Sequence, residues 1–157
     1  METADLIIRS ATPADTAELI ALHAEAWRYS YRGVIPWQAL EGMIARWRPV
    51  PGPGTFVLCF DGKLAGYASF GSERGGRRGE IYELYLSPAY QGTGLGRELF
   101  QAARQMLTTA RLTGLVVWSL RENQAACQFY RAMGGKGRLS GRQRLGGRDI
   151  PMIGFEW

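Results

Sequence analysis

Up to about residue 50 the apolar residues recur mainly at helical spacing, and beyond it they gather into strand-length runs. A short strand is predicted over residues 6–9 (Leu-Ile-Ile-Arg), followed by Thr12 as N-cap and Pro13 at the first helical position. From Ala14 to Trp27, Leu19, Leu22, His23 and Ala26 share one helical face. Residues 28–50 read as irregular, with a second helix near Trp37–Trp47, and "PVPGPG" (49–54) must break structure. Two apolar runs, "TFVLCF" and "KLAGYASFG", then flank Asp61-Gly62, a hairpin signature. A loop carrying Arg74, Arg77 and Arg78 leads to a strand from about Glu80 to Ser87. After a glycine-containing loop comes an amphipathic helix with Leu95, Leu99, Ala103, Met106, Leu107 and Ala110 on one stripe. "GLVVWSL" (114–120) is apolar throughout, like a strand buried on both faces. A helix from about Asn123 to Met133 stops at Gly134-Gly135, and weaker strands cover residues 136–145 and 150–156.

The element order, β-α-α-β-β-β-α-β-α-β-β, describes a mixed α/β unit around one sheet. No repeat or linker divides it, so residues 1–157 read as one domain, long enough to bury a core. No apolar run reaches the ~20 residues of a membrane span. The N-terminus, Met-Glu-Thr-Ala-Asp, lacks the basic and apolar stretches of a secretion signal. Cys59 and Cys127 form neither a disulfide framework nor a metal pattern. The expectation is a reduced, cytoplasmic protein with no membrane partner. Net charge is +5, and 17 of the 19 basic residues are arginine. They are spread along the chain, with no basic run longer than Arg77-Arg78. A solvated surface accounts for most of them, and nucleic acid is not an expected partner.

Within "GEIYELYLSPAYQGTGLGRELF" (79–100), three glycines separate a strand from a helix. There is no Gly-Lys followed by Ser or Thr, as a P-loop needs. The glycines fall at 92, 94 and 96, with Arg97 where the dinucleotide fingerprint needs its last glycine. The mechanism survives without those motifs. Glycines allow close backbone approach to an anion, and a helix N-terminus contributes about half a positive charge.

Two strings are more specific than glycines alone. Gln91-x-x-Gly94-x-Gly96 follows "LYLSPAY", and Asn123-x-x-Ala126-x-x-Phe129-Tyr130 follows the second apolar strand. On these residues the sequence resembles the GNAT superfamily of acyl-CoA-dependent N-acyltransferases, strongly over Thr55–Gly134 and in element order throughout. "YRGVIP" (31–36) also looks like many small members. The resemblance implies an α/β (α+β) domain. Its central sheet would be mixed, mostly antiparallel, of about seven strands with a splayed parallel pair, flanked by about four helices. It implies acetyl-CoA as acyl donor and an amine acceptor, with no metal, and dimers are common in the family. Gln91 and the backbone N–H groups of Gly92, Thr93, Gly94, Leu95, Gly96 and Arg97 would hold the pyrophosphate. Leu84, Tyr85 and Leu86 would pair with the pantetheine arm like an added strand, and Asn123 would contact it. Arg97 and Arg104 are candidates for the phosphates at the nucleotide end.

Acyl transfer to an amine needs a base, an oxyanion donor and a proton for the leaving thiolate. The resemblance gives the last role to Tyr130, although Phe129, Tyr130 and Met133 also fit the buried face of a helix. Asn123 equally suits a helix N-cap. Glu80, eleven positions before Gln91, is where relatives carry a glutamate base; Glu83 and a water chain remain alternatives. Strict alternation puts the two carboxylates on opposite faces unless a bulge intervenes. His23, the single histidine, fits a packed core position, and with two distant cysteines it cannot build a metal site. Trp27 and Tyr31, with Tyr29, Trp37 and Trp47 nearby, are the expected acceptor wall or a satellite core. The rival readings are an acyl-CoA sensor of the same fold without turnover and, remotely, a basic nucleic-acid-binding domain.

Overall fold

A computed structural model describes residues 5–157. Strand β1 (Leu6–Ala11) leads through a 3-10 turn, Pro13–Asp15, into helix α1 (Thr16–Tyr31) and then α2 (Trp37–Arg46). The turn is fixed by Asp15, whose carboxylate accepts the Thr12 N–H at 2.8 Å and the Arg9 guanidinium at 2.7 Å. Strands β2 (Gly52–Phe60) and β3 (Lys63–Ser72) form the expected hairpin, with both turn residues at positive φ, Asp61 at 51° and Gly62 at 81°. Then follow β4 (Gly79–Leu86), α3 (Leu95–Thr109), β5 (Leu115–Leu120), α4 (Gln124–Ala132), β6 (Lys136–Leu145) and β7 (Arg148–Glu156).

The strands make one seven-stranded sheet in the order β1-β2-β3-β4-β5-β7-β6. β4 and β5 run parallel, and the other neighbours are antiparallel. The expected fold class therefore holds, with four helices among the described residues. α1 covers one face, where Leu19, Leu22 and Ala26 meet Val57, Tyr67 and Tyr85. α2 covers the same face further along, setting Leu40 and Ile44 against Leu120 and Met152. α3 and α4 cover the opposite face, with Leu99, Phe100, Cys127 and Tyr130 against Ile81, Val117 and Phe155. None of the described helices is long and apolar enough to cross a membrane.

Three expectations need correction. α1 runs four residues past Trp27 to Tyr31, because Arg28 pairs with Glu41 of α2 (2.9 and 3.0 Å) and the Trp27 and Tyr31 rings pack 4.7 Å apart. "PVPGPG" ends the helical region, yet β2 already begins at Gly52, drawn in by its pairing with Ala11. On α3 the buried arc is centred nearer Phe100. Met106 falls at its edge, 38% exposed, and Ala110 caps the helix end in solvent.

Candidate active site

The parallel pair separates after three residues. Gly79, Glu80 and Ile81 pair with Leu115, Val116 and Val117, and there the β4–β5 register ends. Beyond it, Glu83 to Leu86 keep only their β3 partners and Trp118 to Leu120 keep only those on β7. Two strand edges thus face each other across a gap with backbone groups free to bond something else. β3 approaches β4 closely here because residue 66 is glycine. A Cβ would lie 2.6 Å from the Tyr85 carbonyl oxygen. The gap opens into a cleft of about 570 Å³ lined by Leu84, Tyr85, Ser119, Leu120, Asn123 and Tyr130, among others.

The glycine loop follows the end of β4. Gly92 and Gly94 have φ of +76° and +86°, values that favour glycine, and Gly94 is the N-cap of α3. The backbone N–H groups of Gly92, Thr93, Gly94, Leu95, Gly96 and Arg97 donate no hydrogen bond among the described residues. Together with the dipole of a fifteen-residue helix, they form an anion cradle. Gln91 fixes the loop to the strand, its amide Nε2 donating to the Leu86 carbonyl at 2.9 Å. The Thr93 hydroxyl donates to the Tyr90 carbonyl. Arg97 and Arg104 are exposed, and neither forms an ion pair with another described residue.

Glu80 and Glu83 lie on one face of the sheet, because β4 carries a bulge. The register passes from Phe70↔Ile81 to Ser69↔Glu83, leaving Tyr82 without a partner. The Tyr82 ring turns over Gly71 and its hydroxyl donates to the Ser72 carbonyl. Ile81, Leu84 and Leu86 point into the α3–α4 core, while Glu80 and Glu83 both line the cleft. Burial raises the affinity of both carboxyls for protons; the charge of Glu73 adds to the effect at Glu80, and Arg78 opposes it. Arg78 is committed elsewhere, to Glu73 at 3.0 Å and to Glu156.

Glu83 is the more enclosed of the pair. Trp27 Nε1 donates to its Oε1 at 3.2 Å, and His23 Nε2 lies 3.7 Å from the same oxygen. His23 is 1% exposed and stacks on Trp47 at 3.8 Å, with neither ring nitrogen hydrogen-bonded among the described residues. The core position expected for His23 is what the fold gives it, but with one nitrogen towards a carboxylate.

Tyr130 is 6% exposed, reaches the cleft wall, and packs among Phe100, Phe129, Phe155 and Trp157. Burial raises its hydroxyl pKa, so the phenol is neutral at physiological pH and available as a proton donor. Asn123 caps α4, its Oδ1 accepting the Ala126 N–H at 3.1 Å, and it lines the same cleft. Capping and cleft-lining thus coexist. Trp27 and Tyr31 form the opposite wall, whereas Tyr29 and Trp37 point outward at 59% and 71% exposure. Sequence reasoning passed over Tyr67, which is 2% exposed and lines the cleft from β3. The strand alternation of "KLAGYASFG" assigns it to the α1 face, and that was the available signal. Trp118 and Met152 join the cleft only through the β5–β7 pairing, which no local pattern announces.

Among the described residues there is no group of three or more His, Cys, Asp or Glu that could hold a metal ion. The fold is shared with YncA from Salmonella typhimurium, solved with its cofactor acetyl-CoA (20% identity, TM-score 0.71, covering 98% of this chain and 93% of that one). It is shared equally with the PaiA N-acetyltransferase of Thermoplasma acidophilum in complex with coenzyme A (19% identity, TM-score 0.74, covering 98% and 99%). In sequence the chain is 27% identical to the uncharacterized N-acetyltransferase YuaI of Bacillus subtilis (strain 168), over 96% of this chain and 91% of the relative. The model of the acetyltransferase (GNAT) family matches residues 17–134, three-quarters of the sequence, and the chain belongs to that family.

Proposed function

We propose that the protein is an N-acetyltransferase that moves the acetyl group of acetyl-CoA to a primary amine by direct attack in a ternary complex. The observation that carries this reading is the gap between β4 and β5, continuous at the end of β4 with an unsatisfied anion cradle. The N–H groups of Gly92 to Arg97 hold the pyrophosphate, with Arg97 and Arg104 near the nucleotide end. The free edge of Leu84, Tyr85 and Leu86 pairs with the pantetheine arm, and Asn123 flanks it. The acceptor enters between Trp27 and Tyr31 on one side and the carboxylates on the other.

Glu80 takes the proton that the ammonium must lose before its nitrogen can attack. A backbone N–H of β4 receives the developing oxyanion, and Tyr130 protonates the departing thiolate. Coenzyme A release with a panel of primary amines tests the activity. In Glu80→Gln and in Tyr130→Phe, kcat is expected to fall about 10²-fold while acetyl-CoA still binds. Wild-type turnover in the double variant would sink the residue assignment and leave the family untouched. Burial holds the Glu80 carboxyl above its ordinary value of 4.5. The rate therefore rises with pH through a midpoint above that value, and Glu80→Gln removes this limb.

A further inference from the structure

A second cavity, of about 400 Å³, adjoins the cleft on the α1 side of the sheet. Tyr67, Tyr82 and Glu83 belong to the walls of both, so the Glu83 carboxylate stands where the two meet. The rest of the second wall is mostly apolar: Leu19, Trp47, Pro49, Val50 and Pro51. Its polar groups are largely engaged. Thr55 Oγ1 donates to the Val50 carbonyl at 3.1 Å, fastening the proline-rich strap to β2. Arg48 Nη1 folds back onto the carbonyls of Ala45 (3.0 Å) and Trp47 (2.7 Å). What the chamber offers a ligand is one carboxylate, the hydroxyls of Ser69 and Tyr67, and otherwise mostly apolar surfaces.

We infer that the acceptor is a primary amine carried on an aromatic or branched aliphatic body, with its ammonium on Glu83 and its body in this second chamber. The inference rests on the acetyl-transfer reading above and names its substrate class. The ammonium is met by Glu83, whose Oε1 already accepts from Trp27, leaving Oε2 without a partner among the described residues. Trp27, Tyr31 and Tyr67 line the cleft around it, and aromatic rings favour a cation over a neutral head group. The body gains by leaving water for Leu19 and the Trp47–Pro51 strap. A polyamine or an amino sugar would bury more cations or hydroxyls there than Glu83, Ser69 and Tyr67 can pair, which is costly. Glu83 thereby binds and aims the nitrogen, and Glu80 removes its proton.

The test compares kcat/KM for phenethylamine and isoamylamine with that for ethanolamine and spermidine. A preference of at least about tenfold for the apolar pair is expected. Equal or better use of ethanolamine or spermidine overturns the inference. Ser69 lies opposite Glu83 in the β3–β4 ladder and lines the chamber, so Ser69→Phe fills it. That variant should bring the phenethylamine-to-ethylamine ratio close to one, through KM rather than kcat; an unchanged ratio counts against the chamber. Val50 is 80% exposed, so Val50→Asn folds even where Ser69→Phe does not, and it should lower the same ratio. Glu83→Gln should raise KM for every amine about tenfold. If no amine is acetylated, quenching of tryptophan fluorescence by phenethylamine is measured instead. Saturable quenching lost in Glu83→Gln upholds the acceptor site while the acetyl-transfer reading fails. No quenching overturns the site itself.

Discussion

His23 carries two buried ring nitrogens without a partner, and burial lowers its pKa from 6.5 to about 4. The unfolded chain binds a proton at this residue near pH 6.5, the folded chain only near pH 4. Stability is therefore unaffected above that window and falls as pH drops through it, by roughly 3 kcal/mol in all. Glu80 and Glu83 act with the opposite sign, since their raised pKa values favour the folded state at low pH. The difference between wild type and His23→Phe isolates the histidine. Urea unfolding at pH 7 and pH 4.5 should show the variant losing less stability on acidification; parallel losses would show that the imidazole stays as easily protonated as in the unfolded chain. At this scale the sequence was partly legible. It marked Glu80, Glu83 and Tyr130 as chemistry-bearing, but it could not say that both carboxylates share a face. The extra residue, Tyr82, is an ordinary β-former with no local mark of a bulge, and its place is decided by contact with Gly71 on the next strand.

The junction between β4 and α3 works because its backbone adopts a conformation that side chains resist. Gly94 has φ +86°, so Gly94→Val strains the cap by about 1–2 kcal/mol and tilts the N–H groups away from their common focus. The expected result is a KM for acetyl-CoA raised about tenfold, with a small loss of thermal stability. The amine KM should move little. An unchanged acetyl-CoA KM would remove the loop from the donor site. Most elements were readable in advance because each carries its own period, alternate positions in the hairpin and three-to-four spacing in α1 and α3. The misread ends, at Tyr31 and Gly52, are set by partners distant in sequence: Glu41 holds Arg28, and Ala11 recruits a glycine from a proline-rich run.

For the whole molecule, the mixed sheet with its splayed parallel pair was implied by a family resemblance, while the second chamber arises from a strap, a helix and three strands that meet only in the folded chain. Among the described residues, the three-row ladder between β4 and β5 is the sole strand pairing that joins β1–β4 to β5–β7. Mechanically the sheet is two plates with a short seam, and the proposed donor site lies where the seam is open. Acetyl-CoA at a hundred times its Kd should raise unfolding free energy by about 2.7 kcal/mol, readable as a thermal shift. Amide exchange should slow at Leu84 to Leu86 on one plate and Trp118 to Leu120 on the other. Absence of protection on either plate would mean that the donor does not bridge them. A protein stitched together by its own substrate has a persistence in the cell that follows the supply of that substrate, so scarcity of the acetyl donor would shorten the enzyme's lifetime as well as idle it.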